Sequence, residues 1–127
     1  MILTGELEGL AFKGKIDSIN LTQRYFVDLK TMRSIASETW SPTLHQRVPQ
    51  MVYNVYEYKY HLQMFIYQKL LEQMDLPFFT PYMVAVSKEE IPDKEIIVFD
   101  EELLETGEAV FYAHIQRVKE VVEGLVP

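Results

Sequence analysis

Gly14-Lys15-Ile16-Asp17 and, further along, Tyr25-Phe26-Val27-Asp28-Leu29-Lys30-Thr31 set the architecture of this chain. The second stretch is rich in aromatic and branched residues and reads as a strand, and residues 15–20 read as another extended stretch. Joined by a four-residue loop at Leu21–Arg24, the two make a hairpin that pairs Asn20 with Tyr25 and sets Asp17 opposite Asp28. Directly opposed residues share a face, with Cβ atoms ~4.5–5.5 Å apart. Strand alternation puts Lys30 on the face of Asp28 and turns Leu29 into the other layer. Two carboxylates so placed repel each other unless a divalent cation sits between them. Mg²⁺ suits the arrangement, because it takes one or two carboxylates and fills its other positions with water and substrate phosphate. An ammonium beside it can hold the attacking water or stabilise charge building on phosphorus. The alternative reading is a solvated hairpin face carrying a cross-strand charge pair, since Asp and Lys are common on exposed strands.

Beyond the hairpin, Gly5 to Phe12 reads as a first strand. Residues 32–52, with Ser34, Ser37, Ser41-Pro42 and Pro49, read as a long irregular connection with one helical turn. Val55 to Met74 is expected to be one helix, with Tyr56, Tyr60, Gln63, Tyr67, Leu70 and Met74 at i, i+3/i+4 spacing and Pro77 stopping it. Gln63 stands in that stripe where an apolar residue is expected, so it needs partners. It is either a satisfied edge-of-core side chain or a group that reaches the hairpin site. His61 is either a DNA-facing helper or a surface residue. Pro81–Ser87 and Glu95–Phe99 read as strands. Asp100 caps a last helix with Glu101 and Glu102 in its first turn, an apolar stripe through Leu103/Leu104, Val110/Phe111, Ile115, Val118 and Val122, and Gly124 at its end. The order is β-β-β-α-β-β-α, an α/β (α+β) layer with a central mixed, mainly antiparallel sheet flanked by helices.

The chain has 127 residues, enough for one compact domain spanning 1–127. Its 48% hydrophobic content, with eight Tyr and seven Phe, supports a real core. With no cysteine, disulfides, cysteine-held clusters and thiol nucleophiles are excluded, and a cytoplasmic location is compatible. No signal-peptide pattern or membrane-length apolar run is present. The net charge of −7 is unevenly spread: residues 1–70 carry +2 and residues 71–127 carry −9. The first part is therefore where a polyanion would sit, with Lys13, Lys15, Arg24, Arg33, Arg47 and Lys59 as candidate phosphate contacts. Each alone reads equally as a solvated surface charge. Tyr53, Tyr56 and Trp40 are candidates to stack on a frayed base, or packing residues. Neither a basic recognition helix nor a zinc module is present, so sequence-specific DNA reading is not expected.

Taken in order, Gly14-Lys-Ile-Asp17, Asp28-Leu-Lys30-Thr31 and Gln63-Met-Phe-Ile-Tyr67 resemble the GxxD, DxK[TS] and QxxxY signature of RecB-like nucleases in the PD-(D/E)XK superfamily. Tyr25–Thr31, Tyr58–Gln63 and Tyr82-Met-Val-Ala-Val with the Asp100–Val122 helix are similar to the RecE-type (exonuclease VIII-like) phage and prophage exonucleases. The resemblance runs from about Gly9 to Val122 and implies a restriction-endonuclease-like core. It implies that Asp17 and Asp28 bind the metal with the backbone carbonyl of Leu29. It implies that Lys30 orients or activates water, and that Gln63 and Tyr67 support the site as part of the catalytic set. Lys13, Lys15, Arg24, Thr31, Arg33 and His61 are then the DNA-contacting candidates. The implied cofactor is Mg²⁺, with Mn²⁺ as substitute. The implied activity is 5′ to 3′ digestion of one strand of linear duplex DNA from its end, by a bacterial or phage-encoded homo-oligomeric ring working beside a single-strand annealing protein. Family members carry a helical segment before the first strand with a further acid. This chain begins almost directly at that strand, so an excised or minimal core is expected, with Glu6 or Glu8 as stand-ins. Two other readings predict different outcomes: a DNA-binding scaffold on a degenerate nuclease core, and a structure-specific endonuclease of the same superfamily.

Overall fold

The computed structural model describes residues 1–125. Strands β1 (Ile2–Leu7) and β2 (Leu10–Lys15) form an antiparallel hairpin, joined through Glu8-Gly9. Both turn residues have positive φ, 52° and 80°, the backbone that a two-residue turn needs to match strand twist. The single strand expected over Gly5–Phe12 is therefore two strands. Glu is an uncommon occupant of such a turn, so Glu-Gly gave a weaker signal than Asn-Gly or Asp-Gly.

β3 (Ser18–Asn20) and β4 (Tyr25–Met32) pair in the expected register, Asn20 with Tyr25, Ile19 with Phe26 and Ser18 with Val27. The intervening loop is held by Asn20 Oδ1, which accepts from the backbone N–H of Thr22 (3.1 Å) and Gln23 (2.8 Å), and Arg24 closes it at φ 59°. The stretch read as an irregular connection is a third hairpin, β5 (Glu38–Ser41) with β6 (Gln46–Pro49). Glu57 fastens that hairpin to the next helix. Its carboxylate accepts from Ser41 Oγ (2.9 Å), Thr43 N (2.9 Å) and Thr43 Oγ1 (3.1 Å), and the Thr43 N–H bond leads in holding its pKa below the usual carboxylate range.

The expected single helix is broken in two, α1 (Gln50–Glu57) and α2 (Tyr60–Gln73), by Lys59 in the left-handed region at φ 58°. Neither Gly nor Pro marks this break, which is why periodicity ran through it. β7 (Thr80–Ser87), β8 (Lys94–Val98) and α3 (Glu101–Leu125) follow close to the expected bounds. Asp100 caps α3 through Oδ1 to Leu103 N (2.9 Å). The helix continues past Gly124, which does not end it, and Val118 and Val122 on its expected stripe are exposed.

The central sheet is four-stranded in the order β3-β4-β7-β8, antiparallel at its two outer pairs and parallel between β4 and β7. The other two hairpins are separate ladders rather than parts of this sheet. Alternation along β4 sends Phe26, Asp28 and Met32 inward to a core built from Leu3, Ile16, Met64, Tyr67, Leu70, Met83 and Phe99. The opposite face is open: Leu29 is 54% exposed, and Ile96 and Val98 on the outer strand β8 are exposed too. Leu29 thus faces solvent rather than a second layer.

Gly107 lets α3 approach α2. A Cβ there would run into the backbone carbonyl of His61. Gly107→Ala is expected to lower stability by about 1–3 kcal/mol through this overpacking. The loss outweighs the ~1 kcal/mol that Ala ordinarily gains over Gly in a helix interior. A urea titration reads it as a lower midpoint at unchanged slope. Among the described residues no helix is long and apolar enough to cross a membrane.

Candidate active site

The hairpin brings Asp17, Asp28 and Lys30 together. Asp17 sits just before the first β3–β4 pair, and its Oδ2 accepts the backbone N–H of Leu29 at 2.8 Å. The N–H and C=O of a strand residue point to the same edge, so the Leu29 carbonyl lies on Asp17's side as well. Asp28 is buried, at 4% exposure. Its pKa is raised, chiefly by burial, while Lys30 pulls it down and Asp17, in direct side-chain contact, adds to the rise. Lys30 Nζ stands 2.8 Å from Asp28 Oδ2. That contact pairs the buried carboxylate with an ammonium, while Asp17 crowds it from the other side.

Helix α2 supplies the roof. Gln63 Nε2 donates to the phenol oxygen of Tyr67 at 2.8 Å, which leaves Gln63 Oε1 as a buried acceptor without a donor. Tyr67 packs edge-on against Phe26 of β4, with ring centroids 6.1 Å apart. Burial raises its pKa first, and the nearby charge of Asp28 adds to the rise, so it stays a neutral phenol. Gly14 explains how two of the sequence motifs meet: a Cβ at this position would lie 2.5 Å from Tyr67 Cε1. The glycine clears the space into which the tyrosine swings. Tyr60 belongs to the site as well, although the sequence marked it only as part of a helical stripe. Lys30 Nζ lies 4.6 Å from its ring centroid, a cation–π contact that steers the ammonium. Its place one turn before Gln63 was the available signal.

The remaining candidates divide. Lys13 and Lys59 border a cavity they share with Gln63 and Tyr67. Thr31 and Arg33 border another, with Tyr53, Tyr58 and Tyr60. Lys15 is exposed, and its backbone polarises the Tyr67 phenol. Arg24 is at the far end of the hairpin, about 13 Å along the strand from Asp28. Arg47 is exposed on β6 and lies 3.7 Å from Glu38, and Trp40 is exposed on β5. His61 touches no DNA path: it is 2% exposed, Nδ1 meets the Val55 carbonyl at 3.1 Å, and its ring packs against Tyr56. Burial lowers its pKa, so it is a neutral core histidine, and Tyr56 is packing rather than a stacking platform. Glu6 and Glu8 stay at the first hairpin and supply no further acid. Among the described residues no group of three or more His, Cys, Asp or Glu converges.

A family model described as a PDDEXK-like domain of unknown function (DUF3799) matches residues 1–127. The crystal structure of a "Putative exonuclease" from Eubacterium rectale is similar over 100% of this chain, with a TM-score of 0.83 and 27% sequence identity. The chain spans 46% of that protein's chain. Among curated proteins none matches.

Proposed function

The chain belongs to the PDDEXK-like domain family DUF3799, and on that basis we propose that it is a divalent-metal-dependent deoxyribonuclease of the RecE type, acting on the ends of linear duplex DNA. One observation carries the metal assignment. Two carboxylates, Asp17 and a buried Asp28, crowd together beside a strand-edge carbonyl, with Lys30 2.8 Å from Asp28 Oδ2. Crowded carboxylates repel each other, and a hydrated cation held between them relieves the repulsion. Asp17, Asp28 and the Leu29 carbonyl would hold Mg²⁺ or Mn²⁺, and Gln63 would support the site from α2 through Tyr67. When bound, the cation supplies Lewis-acid polarisation and a water of lowered pKa.

The chain's own residues do the rest. Lys30, held between Asp28 and the Tyr60 ring, presents its ammonium to the reacting phosphate or to the attacking water. Tyr67 and Gln63 fix each other, and Gly14 keeps the space that lets them do so. Lys13, Lys59 and Arg33 offer phosphate contacts on either side.

The finer reading, 5′ to 3′ digestion in the cytoplasm by a ring that hands its product to a single-strand annealing protein, rests on the sequence resemblance. The name of the Eubacterium rectale protein supports the exonuclease part. End-labelled linear duplex is expected to be degraded in Mg²⁺ while a covalently closed circle of the same sequence survives, the 5′ label being released first. Equal attack on the circle would make the chain an endonuclease. DNA binding without turnover of either substrate would make it a scaffold.

A further inference from the structure

We infer that the cavity beside Lys30 is a nucleobase subsite that receives an unpaired base at the end of the strand being cut; the inference rests on the nuclease reading above. The cavity encloses about 420 Å³ and lies at the break between α1 and α2. That size is within the ~300–1,000 Å³ of ordinary small-ligand pockets.

A continuous aromatic track leads into it from the site. Lys30 Nζ sits 4.6 Å from the Tyr60 ring, Tyr60 is 6.1 Å from Tyr58, and Tyr58 is 6.2 Å from Tyr53 between centroids. The left-handed turn at Lys59 leaves Tyr58 62% exposed. So exposed a ring gains little from the protein's own packing, whereas a base stacked on it buries apolar surface on both partners. Such stacking is sequence-tolerant, because every base has a π-face.

The polar lining fits a base edge. Gln50 Nε2 donates to Asn54 Oδ1 at 2.8 Å, which leaves the Gln50 carbonyl as an acceptor and the Asn54 amide hydrogens as donors, side by side. Arg33 adds a cation for the adjoining phosphate. Charge separates this cavity from the larger one, about 610 Å³, between α2 and the start of α3. That one is ringed by Glu72, Asp100, Glu101, Glu105 and Glu108 against the single cation Lys69 and repels a polyanion, whereas among the described residues no carboxylate lines the nucleobase cavity. A paired base cannot offer its face, so the strand must be frayed or single-stranded where it enters.

Photocrosslinking tests this, using an oligonucleotide duplex with 5-iodouracil in a two-nucleotide unpaired end, without divalent metal. The adduct is expected on Tyr53 or Tyr58. Tyr58→Ala is expected to weaken binding of the frayed duplex about tenfold, the size of one lost base stack. Tyr58→Phe should restore it, and the circular dichroism of both should match the parent. An adduct elsewhere, or unchanged affinity of Tyr58→Ala in a chain that binds and cleaves DNA, overturns the subsite alone. A parent chain that binds no DNA overturns the subsite and the nuclease reading together.

Discussion

Asp28→Asn is expected to lose DNA cleavage by about a thousandfold or more, the equivalent of several kcal/mol of metal-dependent stabilisation. The metal-free fold should be at least as stable as the parent. The two effects have opposite signs for one reason. Asp28 is buried, and burial is the largest cause of its raised pKa. A carboxyl whose folded pKa is raised contributes stability at low pH and loses it as pH rises through the interval between its unfolded and folded values. At neutral pH the metal-free protein has lost that contribution, and a neutral isostere avoids the loss. Lys30 keeps its contact with the Tyr60 ring, so the variant does not strand the ammonium. Thermal unfolding in EDTA should give the Asp28→Asn variant a midpoint equal to the parent's or higher. Mg²⁺ should then raise the parent's midpoint and not the variant's, since only a site that binds in the folded state stabilises by mass action. A metal-independent drop in midpoint for Asp28→Asn would place Asp28 in the fold rather than the chemistry.

Lys30→Ala is expected to lower kcat about 10²–10³-fold with a small change in KM, as for loss of a group that acts on charge in the transition state. The pH profile carries a second signature. The two largest influences holding Asp28 down both come from Lys30, so removing it raises the Asp28 pKa further. The acidic limb of the residual activity should therefore move to higher pH. Lys30→Arg should not rescue, because a planar guanidinium does not fit the space between Asp28 and Tyr60 as a compact ammonium does. A steady-state profile for the three proteins reads all of this, with circular dichroism confirming the fold. An unshifted limb at full residual activity would remove Lys30 from the site.

The site's frame was legible where local rules and chemistry agreed. The Asn20–Tyr25 register followed from loop length and strand composition, and it alone set Asp17 beside Asp28. The Asp100 cap and the two C-terminal strands were equally readable. What escaped the sequence depends on left-handed residues that are not glycine. Glu8, His45 and Lys59 all have positive φ, and they make the first hairpin turn, the loop between β5 and β6, and the break between α1 and α2. Context holds these backbones, and no local residue signal announces them. His61 was misplaced for a different reason. Within α2 the expected stripe through Tyr60, Gln63, Tyr67 and Leu70 covered only part of the buried face, and His61 belongs to the adjoining buried row with Met64, Phe65 and Gln68. Leu29 shows the complement: alternation gave its direction, but nothing in the chain covers the face it occupies among the described residues.

The proposed mechanism centres on Asp28, a buried carboxylate that would hold a cation. Its decisive test is digestion of a 5′-labelled linear duplex by the parent and by Asp28→Ala, each with and without Mg²⁺. Labelled products are expected from the parent in Mg²⁺ and from no other combination. Equal products from both proteins would contradict the assignment of Asp28 to the metal.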